Sequence, residues 1–139
     1  MSKQNILLIC GESSGDAYGA QLATALSTQT NATLYSIGGP QLSTVTHQLF
    51  RMNTSAHSVS FDGFGYRRTN KRLLSQQIPA FIRDYNIDAA VIIDFPTLNF
   101  FIASLIQPFS IPITTFITPN FWIWNQTNDA KKLANYSTN

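Results

Sequence analysis

The chain has 139 residues, of which 44% are hydrophobic and 12% are charged. This composition excludes a disordered chain, and the length suffices for one domain with a hydrophobic core but not for two. The formal net charge of +2 is too small to indicate nucleic-acid binding by itself. Cys10 is the only cysteine, so no disulfide can form within the chain, which fits a reducing cytosol.

Neither a membrane span nor a metal site is indicated by the sequence. The longest apolar runs fall short of transmembrane length, and the five apolar residues before Gly11 are too few for a signal peptide. We therefore expect any contact with a membrane to be peripheral. His47 and His57 lack metal-ligand spacing to Cys10 or to an acidic cluster, so we predict no metal and no cofactor.

Strand-like and helix-like segments alternate along the chain. The predicted elements are a strand at 6–10, a helix ending near 28–30, a strand at 33–37, a turn at 38–40, a short helix at 41–48, extended pieces at 49–52 and 58–61, an aromatic turn at 62–66, a helix at 68–85, a strand at 88–94, a helix from 99 to about 106, a strand at 111–117, an aromatic loop at 121–124 and a last helix at 127–136. We expect Pro79 to kink or break its helix. The alternation predicts an α/β fold, a Rossmann-like parallel sheet with helices on both faces, but not the order of its strands.

The turn after the first strand is rich in glycine and acids. Its glycines lie four residues apart, at 11, 15 and 19, so it matches neither dinucleotide-binding nor P-loop spacing. We expect Ser13 and Ser14 to serve as N-cap residues, and the carboxylates of Glu12 and Asp16 to complement the positive end of the following helix. This chemistry suits a sugar ligand at least as well as a phosphate. A capped turn without any ligand is the alternative interpretation.

Four loops should gather at the carboxyl edge of the predicted sheet, where ligands bind in such folds. They hold the unusual side chains of the sequence, which are Glu12, Asp16, Asp94, Asn99, Asn120, Trp122 and Trp124. Asp94 is the best candidate for a general base, because a carboxylate directly after a buried strand is rigidly held and partly desolvated. Alternatively, Asp94 caps the helix that follows it.

A dense basic patch lies beside three aromatic residues. The patch consists of Arg67, Arg68, Lys71 and Arg72. Cations at a helix N-terminus oppose the helix dipole, so an anionic phospholipid or a phosphorylated substrate would stabilise them there. The alternative is an ordinary solvated helix face.

Four motifs together carry a family resemblance. They are Gly-Glu-Ser-Ser-Gly-Asp at 11–16, Ile-Gly-Gly-Pro at 37–40, Ile-Asp-Phe-Pro at 93–96 with Asn99, and Thr-Pro-Asn-Phe-Trp-Ile-Trp at 118–124. In this order and at this spacing, the chain resembles the N-terminal domain of the lipid-A-disaccharide synthases, glycosyltransferase family 19. Departures from the family pattern are Thr97 in place of a second acid, Asn125 in place of an arginine, and a degraded glycine motif at 62–65.

The resemblance implies an inverting glycosyltransferase of the two-domain GT-B type. Such enzymes transfer 2,3-diacylglucosamine from its UDP derivative to 2,3-diacylglucosamine 1-phosphate, forming the β-1,6 disaccharide of lipid A and UDP. It implies that Asp94 is the general base on the acceptor hydroxyl. It also implies a substrate-binding set, which comprises Gly11, Glu12, Ser14, Gly15, Asp16, Asn99, Asn120, Trp122 and Trp124.

The same resemblance suggests where the protein works and with what. We expect a cytoplasmic protein, peripheral on the inner face of the inner membrane, with the basic patch on anionic lipid and no nucleic-acid partner. Residues 1–139 would be the acceptor-side domain without its donor domain, as a fragment, as one half of a split enzyme that pairs with a separate donor domain, or as a relic. The alternatives are a non-catalytic module that binds acylated sugar phosphates or membranes, and a small nucleotide-binding α/β protein.

Overall fold

The computed structural model describes residues 3–11, 13–51, 64–93 and 99–116. In chain order the elements are β1 (Asn5–Cys10), α1 (Ser13–Gln29), β2 (Thr33–Gly38), α2 (Pro40–Ser43), β3 (His47–Arg51), α3 (Phe64–Asp84), β4 (Ala89–Ile93), α4 (Asn99–Ile106), a 3-10 turn (Gln107–Phe109) and β5 (Ile113–Phe116). Within these ranges the strands form one parallel sheet in the order β3-β2-β1-β4-β5. The predicted α/β fold with a parallel sheet is confirmed.

The central strand β1 is buried on both faces of the sheet. Leu7 and Ile9 point to one face and Leu8 and Cys10 to the other, and all four are fully buried. The first face packs against α3 and α4 in a core of Leu7, Ile9, Ile37, Leu74, Ile78, Ile82, Ile87, Ala90, Ile92, Ile102, Ala103, Ile106 and Ile113. The second face packs against α1 and α2 in a smaller core of Leu8, Cys10, Ala23, Leu34, Leu42 and Ile93. Covering both faces is what a parallel sheet requires.

The region between β2 and β3 differs from the sequence prediction. The short helix predicted at 41–48 ends at Ser43, and the chain enters β3 at His47. The carbonyl of Leu42 accepts the N–H of Val45 (3.2 Å) and the hydroxyl of Thr46 (2.7 Å), so it has partners without a further helical turn. The prediction of helix at 44–48 is therefore wrong, and the extended piece predicted from 49 is confirmed as far as Arg51.

Helix α3 is longer and more continuous than predicted. It begins at Phe64, within the segment predicted as an aromatic turn, and it runs through Pro79 without a break. Leu74, Ile78 and Ile82 recur every four residues and are buried against the sheet, and this packing offsets the backbone hydrogen bond that proline cannot make. The elements predicted at 58–61, 121–124 and 127–136 lie outside the described residues.

The strand order places a switch point between β1 and β4. From β1 the chain builds outward to β2 and β3, and it then returns to add β4 and β5 on the opposite side. In open α/β sheets, the ligand crevice lies beyond the carboxyl ends of the strands at such a point. No helix in the described ranges has the length and apolarity needed to cross a membrane.

Candidate functional site

The switch point brings the first and third motifs to the same edge of the sheet. Cys10, the last residue of β1, pairs with Ile93, the last residue of β4. Gly11 follows Cys10 and is buried, and Asp94 follows Ile93 in the chain. Asp94 itself lies outside the described residues, so its role as general base stays a prediction.

Asp16 is 1% exposed, and its carboxylate faces the start of α2. Its Oδ1 accepts the backbone N–H groups of Gly39 (3.0 Å) and Leu42 (3.0 Å), and its Oδ2 accepts the N–H of Gln41 (2.8 Å). Because Pro40 has no N–H, one carboxylate satisfies every backbone donor from residue 39 to residue 42. Asp16 lies in the first turn of α1 and caps α2.

This capping bears on the kind of ligand that the edge can take. The N–H groups at the start of α2 would otherwise offer a place for a phosphate. Since Asp16 already occupies those of Gly39, Gln41 and Leu42, this helix start is not a phosphate cradle. The sequence argument that this edge suits a sugar at least as well as a phosphate concerned the start of α1, and it stays a prediction.

Cys10 lies directly behind the capping carboxylate. Its Sγ is 3.9 Å from Oδ1 of Asp16, and the side chain is fully buried. Burial, together with the negative charge of Asp16, raises the pKa of the Cys10 thiol to about 12, although a backbone hydrogen bond with Gly39 acts in the opposite direction. The thiol is therefore neutral and unreactive at physiological pH, which confirms its sequence interpretation as a small buried side chain.

Glycine is required in the second motif because of close packing. A Cβ on Gly38 would lie 2.7 Å from Sγ of Cys10 and 2.9 Å from Cδ2 of Leu42. Gly19 is less tightly constrained: its Cβ would lie 3.1 Å from Cδ1 of Ile93, so that side chain would have to shift by a few tenths of an ångström. Among the described glycines none has a positive φ, so here the close approach between elements, rather than an unusual backbone angle, selects glycine.

Two residues of this edge gave no signal in the sequence. Gln48 in β3 donates through Nε2 to the carbonyl oxygens of Gly38 (3.1 Å) and Gly39 (3.3 Å). Arg51 donates through Nε to Oε1 of Gln48 (3.0 Å). These contacts depend on the pairing of β2 with β3, which the sequence did not predict, so only the folded chain reveals them.

The remaining predicted binding residues are described to different extents. Ser14 is exposed and Gly15 is buried, both in the first turn of α1. Since α1 begins at Ser13, the two serines lie inside the helix, and the prediction that they are N-cap residues is wrong. Asn99 is the first residue of α4, and its side chain is not among those described. Outside the described residues lie Glu12, Asp94, Asn120, Trp122 and Trp124.

The basic patch sits on α3, but not at its N-terminus. The helix begins at Phe64, so Arg67, Arg68, Lys71 and Arg72 start one turn inside it. The helix dipole acts on charges mainly in the terminal turn. The prediction that these cations lie at the helix N-terminus and oppose its dipole is therefore wrong. Arg72 is exposed, and the side chains of the other three lie outside the described set.

The part of the chain that the structure describes contains no group of three or more His, Cys, Asp or Glu residues that could hold a metal ion. The edge is instead built from one buried carboxylate, backbone amides and an amide side chain. Such groups can fix a loop and orient a ligand.

Comparison with known proteins shows which family this sequence matches. Residues 6–139 match the family model described as lipid-A-disaccharide synthetase. The lipid-A-disaccharide synthase of Coxiella burnetii (strain Dugway 5J108-111) is 28% identical over 137 residues, covering 98% of this chain and 36% of that enzyme. Those of Syntrophus aciditrophicus and Geobacter metallireducens are 24% and 25% identical, covering 91% and 94% of this chain and 33% and 34% of theirs. The chain thus spans about a third of the length of the curated relatives it matches.

Proposed function

This chain belongs to the lipid-A-disaccharide synthetase family, as its four motifs suggested, and we propose that it forms the acceptor side of the glycosyltransferase site. The acceptor is 2,3-diacylglucosamine 1-phosphate, and the donor is UDP-2,3-diacylglucosamine. The products are the β-1,6-linked disaccharide and UDP. The donor side lies in the part of the family's length that this chain does not cover.

The observation that supports this proposal most is the pairing of Cys10 with Ile93. It puts the Gly-Glu-Ser-Ser-Gly-Asp turn beside the point where the chain leaves β4 and continues to Asp94. An acceptor sugar bound in the switch-point crevice would then lie against that turn, close to the end of β4 that precedes Asp94.

In the proposed reaction Asp94 acts on the hydroxyl of the acceptor sugar. The hydroxyl oxygen attacks the anomeric carbon of the donor while the bond from that carbon to the UDP oxygen breaks, with inversion of configuration. Asp94 takes the hydroxyl proton as the new bond forms, because an unionised hydroxyl is a weak nucleophile. UDP leaves with the electron pair of the broken bond, and groups on the donor side stabilise its charge.

Reconstitution with a donor domain tests this proposal. The chain is combined with the part of the Coxiella burnetii relative that it does not cover, and disaccharide formation is measured. We expect Asp94→Asn to reduce turnover by roughly 10²–10⁴-fold, the usual contribution of a general base. Asp84→Asn, at an exposed position that ends α3, is the matched control and should leave turnover unchanged. Near-normal turnover in Asp94→Asn would overturn the assigned role.

A second proposal concerns the membrane surface on which acylated substrates reside. We propose that Arg67, Arg68, Lys71 and Arg72 contact anionic lipid on the cytoplasmic face of the inner membrane. Their closeness on one helix and the exposure of Arg72 support it. Replacing all four with Gln should weaken binding to phosphatidylglycerol vesicles and reduce its salt dependence, whereas Arg83→Gln should not. Binding that depends neither on the salt concentration nor on these four residues would contradict the proposal.

A further inference from the structure

The loop between β2 and α2 contains one peptide group that is held at both ends. The carbonyl of Gly38 and the N–H of Gly39 belong to this group. Gln48 donates to the carbonyl at 3.1 Å, and Asp16 accepts the N–H at 3.0 Å. The two partners come from different elements, β3 and α1, and approach from opposite ends of the peptide group.

The orientation of the Gln48 amide follows from its neighbours. Its Oε1 accepts from Nε of Arg51, and a guanidinium can only donate. The oxygen must therefore face Arg51, and the NH₂ group faces the carbonyls of Gly38 and Gly39. The pairing of β3 with β2 also shifts by one residue directly after Gln48, and irregularities of this kind redirect side chains at strand ends.

A peptide group between two glycines needs such support. Glycine has access to more backbone conformations than any other residue, so an unsupported Gly-Gly peptide can rotate between orientations. Rotation of this group would pull the Gly38 carbonyl from Gln48 and the Gly39 N–H from Asp16. With both bonds formed, the loop keeps one orientation beside the switch-point crevice.

We propose that Gln48 is a positioning residue of the acceptor site, acting through the Gly38–Gly39 peptide group. This inference rests on the proposed function, because it takes the acceptor as the ligand of this edge. Gln48 pairs with Ser36 of β2 and so stands two strands away from the crevice between β1 and β4. Its effect on the ligand passes through the loop, which presents a single binding-competent orientation.

Replacement of the amide tests the proposal. Gln48→Met keeps the approximate size of the side chain and removes both hydrogen bonds to the loop. We expect the affinity of the full chain for 2,3-diacylglucosamine 1-phosphate in detergent micelles, measured by calorimetry, to fall by about threefold to tenfold, because only part of the population keeps the competent loop. Gln76→Met, at an exposed position of α3, is the matched control and should bind like the unsubstituted chain.

Amide hydrogen exchange separates positioning from a general loss of stability. In Gln48→Met we expect faster exchange at Gly39, with exchange in β1 and β4 unchanged. Arg51→Met, which removes only the support behind Gln48, should give a smaller effect of the same kind, and it stands in if Gln48→Met does not fold. Faster exchange throughout the sheet would indicate a merely structural residue and overturn the proposal.

The outcomes also separate this inference from the function on which it rests. If the unsubstituted chain binds the acceptor and Gln48→Met binds it equally well, the positioning role is wrong and the proposed function stands. If the unsubstituted chain does not bind the acceptor, the proposed function fails, and the positioning role fails with it.

Discussion

At the scale of single residues, Asp16 makes the largest set of hydrogen bonds at the carboxyl edge of the sheet. Its two oxygens accept three backbone N–H groups from another element and lie near the thiol of Cys10. A buried carboxylate is costly to desolvate unless such donors surround it, and here they do. Both carboxylate oxygens accept N–H groups of residues 39–42. That Asp16 also binds substrate directly stays a prediction.

Removing this carboxylate should destabilise the fold. Asp16→Ala leaves three backbone donors at the start of α2 without their acceptor, and we expect a loss of roughly 2–4 kcal/mol in the free energy of unfolding. Urea denaturation measures it. Asp16→Asn retains one acceptor oxygen and should lose less, and Asp84→Ala should lose almost nothing. An Asp16→Ala variant as stable as the unsubstituted chain would contradict the capping role.

The raised pKa of the Cys10 thiol predicts that the free energy of unfolding falls at alkaline pH. Its pKa is raised from 9.0 to about 12 in the folded chain, so the neutral thiol is favoured by folding. Below pH 9 this contribution is fully present. Between pH 9 and 12 the unfolded chain releases the proton and the folded chain does not, so stability falls by up to about 1.4 kcal/mol per pH unit.

The comparison that isolates this thiol uses a second variant. Urea denaturation between pH 8 and 10.5 should show a steeper fall in stability for the unsubstituted chain than for Cys10→Ala, which lacks the titrating group. Equal slopes in the two proteins would show that the thiol titrates alike in both states.

At the scale of elements, α3 shows how packing overrides a local preference. Pro79 lies in the helix interior, where it lacks an N–H for the preceding turn. We expect Pro79→Ala to raise the free energy of unfolding by about 1–3 kcal/mol, measured by urea denaturation. Pro108→Ala is the control, because Pro108 is at the start of the 3-10 turn, where no such bond is missing. A destabilised Pro79→Ala would mean that the proline ring packs better than this account allows.

The sequence predicted elements well where burial follows a simple period. The strand ending at Cys10 was predicted from its apolar run, and the helix ending at Ile106 was predicted to follow a turn; both are confirmed. The segment 44–48 was mistaken for helix because its structure depends partly on a contact with the neighbouring strand. Thr46 ends α2 through Leu42, and the hydroxyl of Thr46 also lies 2.7 Å from that of Ser36 in the neighbouring strand.

The residues of the candidate site also divide into those that have a local sequence pattern and those that do not. Asp16 and Gly38 were visible in motifs because each motif has a characteristic local pattern. The contacts between the two motifs were not visible, because they join Asp16 to Gly39 across two elements. Gln48 had no local pattern at all, and its role depends on a strand pairing that sequence periodicity does not specify.

At the scale of the whole molecule, the order of the strands brings motifs that are separate in sequence to one edge of the sheet. Alternation of strands and helices predicted a parallel sheet but left its order open, since many orders satisfy the same alternation. The observed order puts β1 beside β4 and creates the switch point. The ends of β1 and β4, far apart in sequence, therefore lie side by side, and the Gly38–Gly39 peptide group of the second motif is held by Asp16 and Gln48.

We propose that this crevice binds an acceptor sugar rather than a nucleotide. The most direct measurement is calorimetric titration of the full chain with 2,3-diacylglucosamine 1-phosphate in detergent micelles and, separately, with UDP. We expect saturable binding of the acylated sugar phosphate and much weaker binding of UDP, because the N–H groups at the start of α2 are already occupied by Asp16. Tight binding of UDP without binding of the acylated sugar phosphate would contradict it.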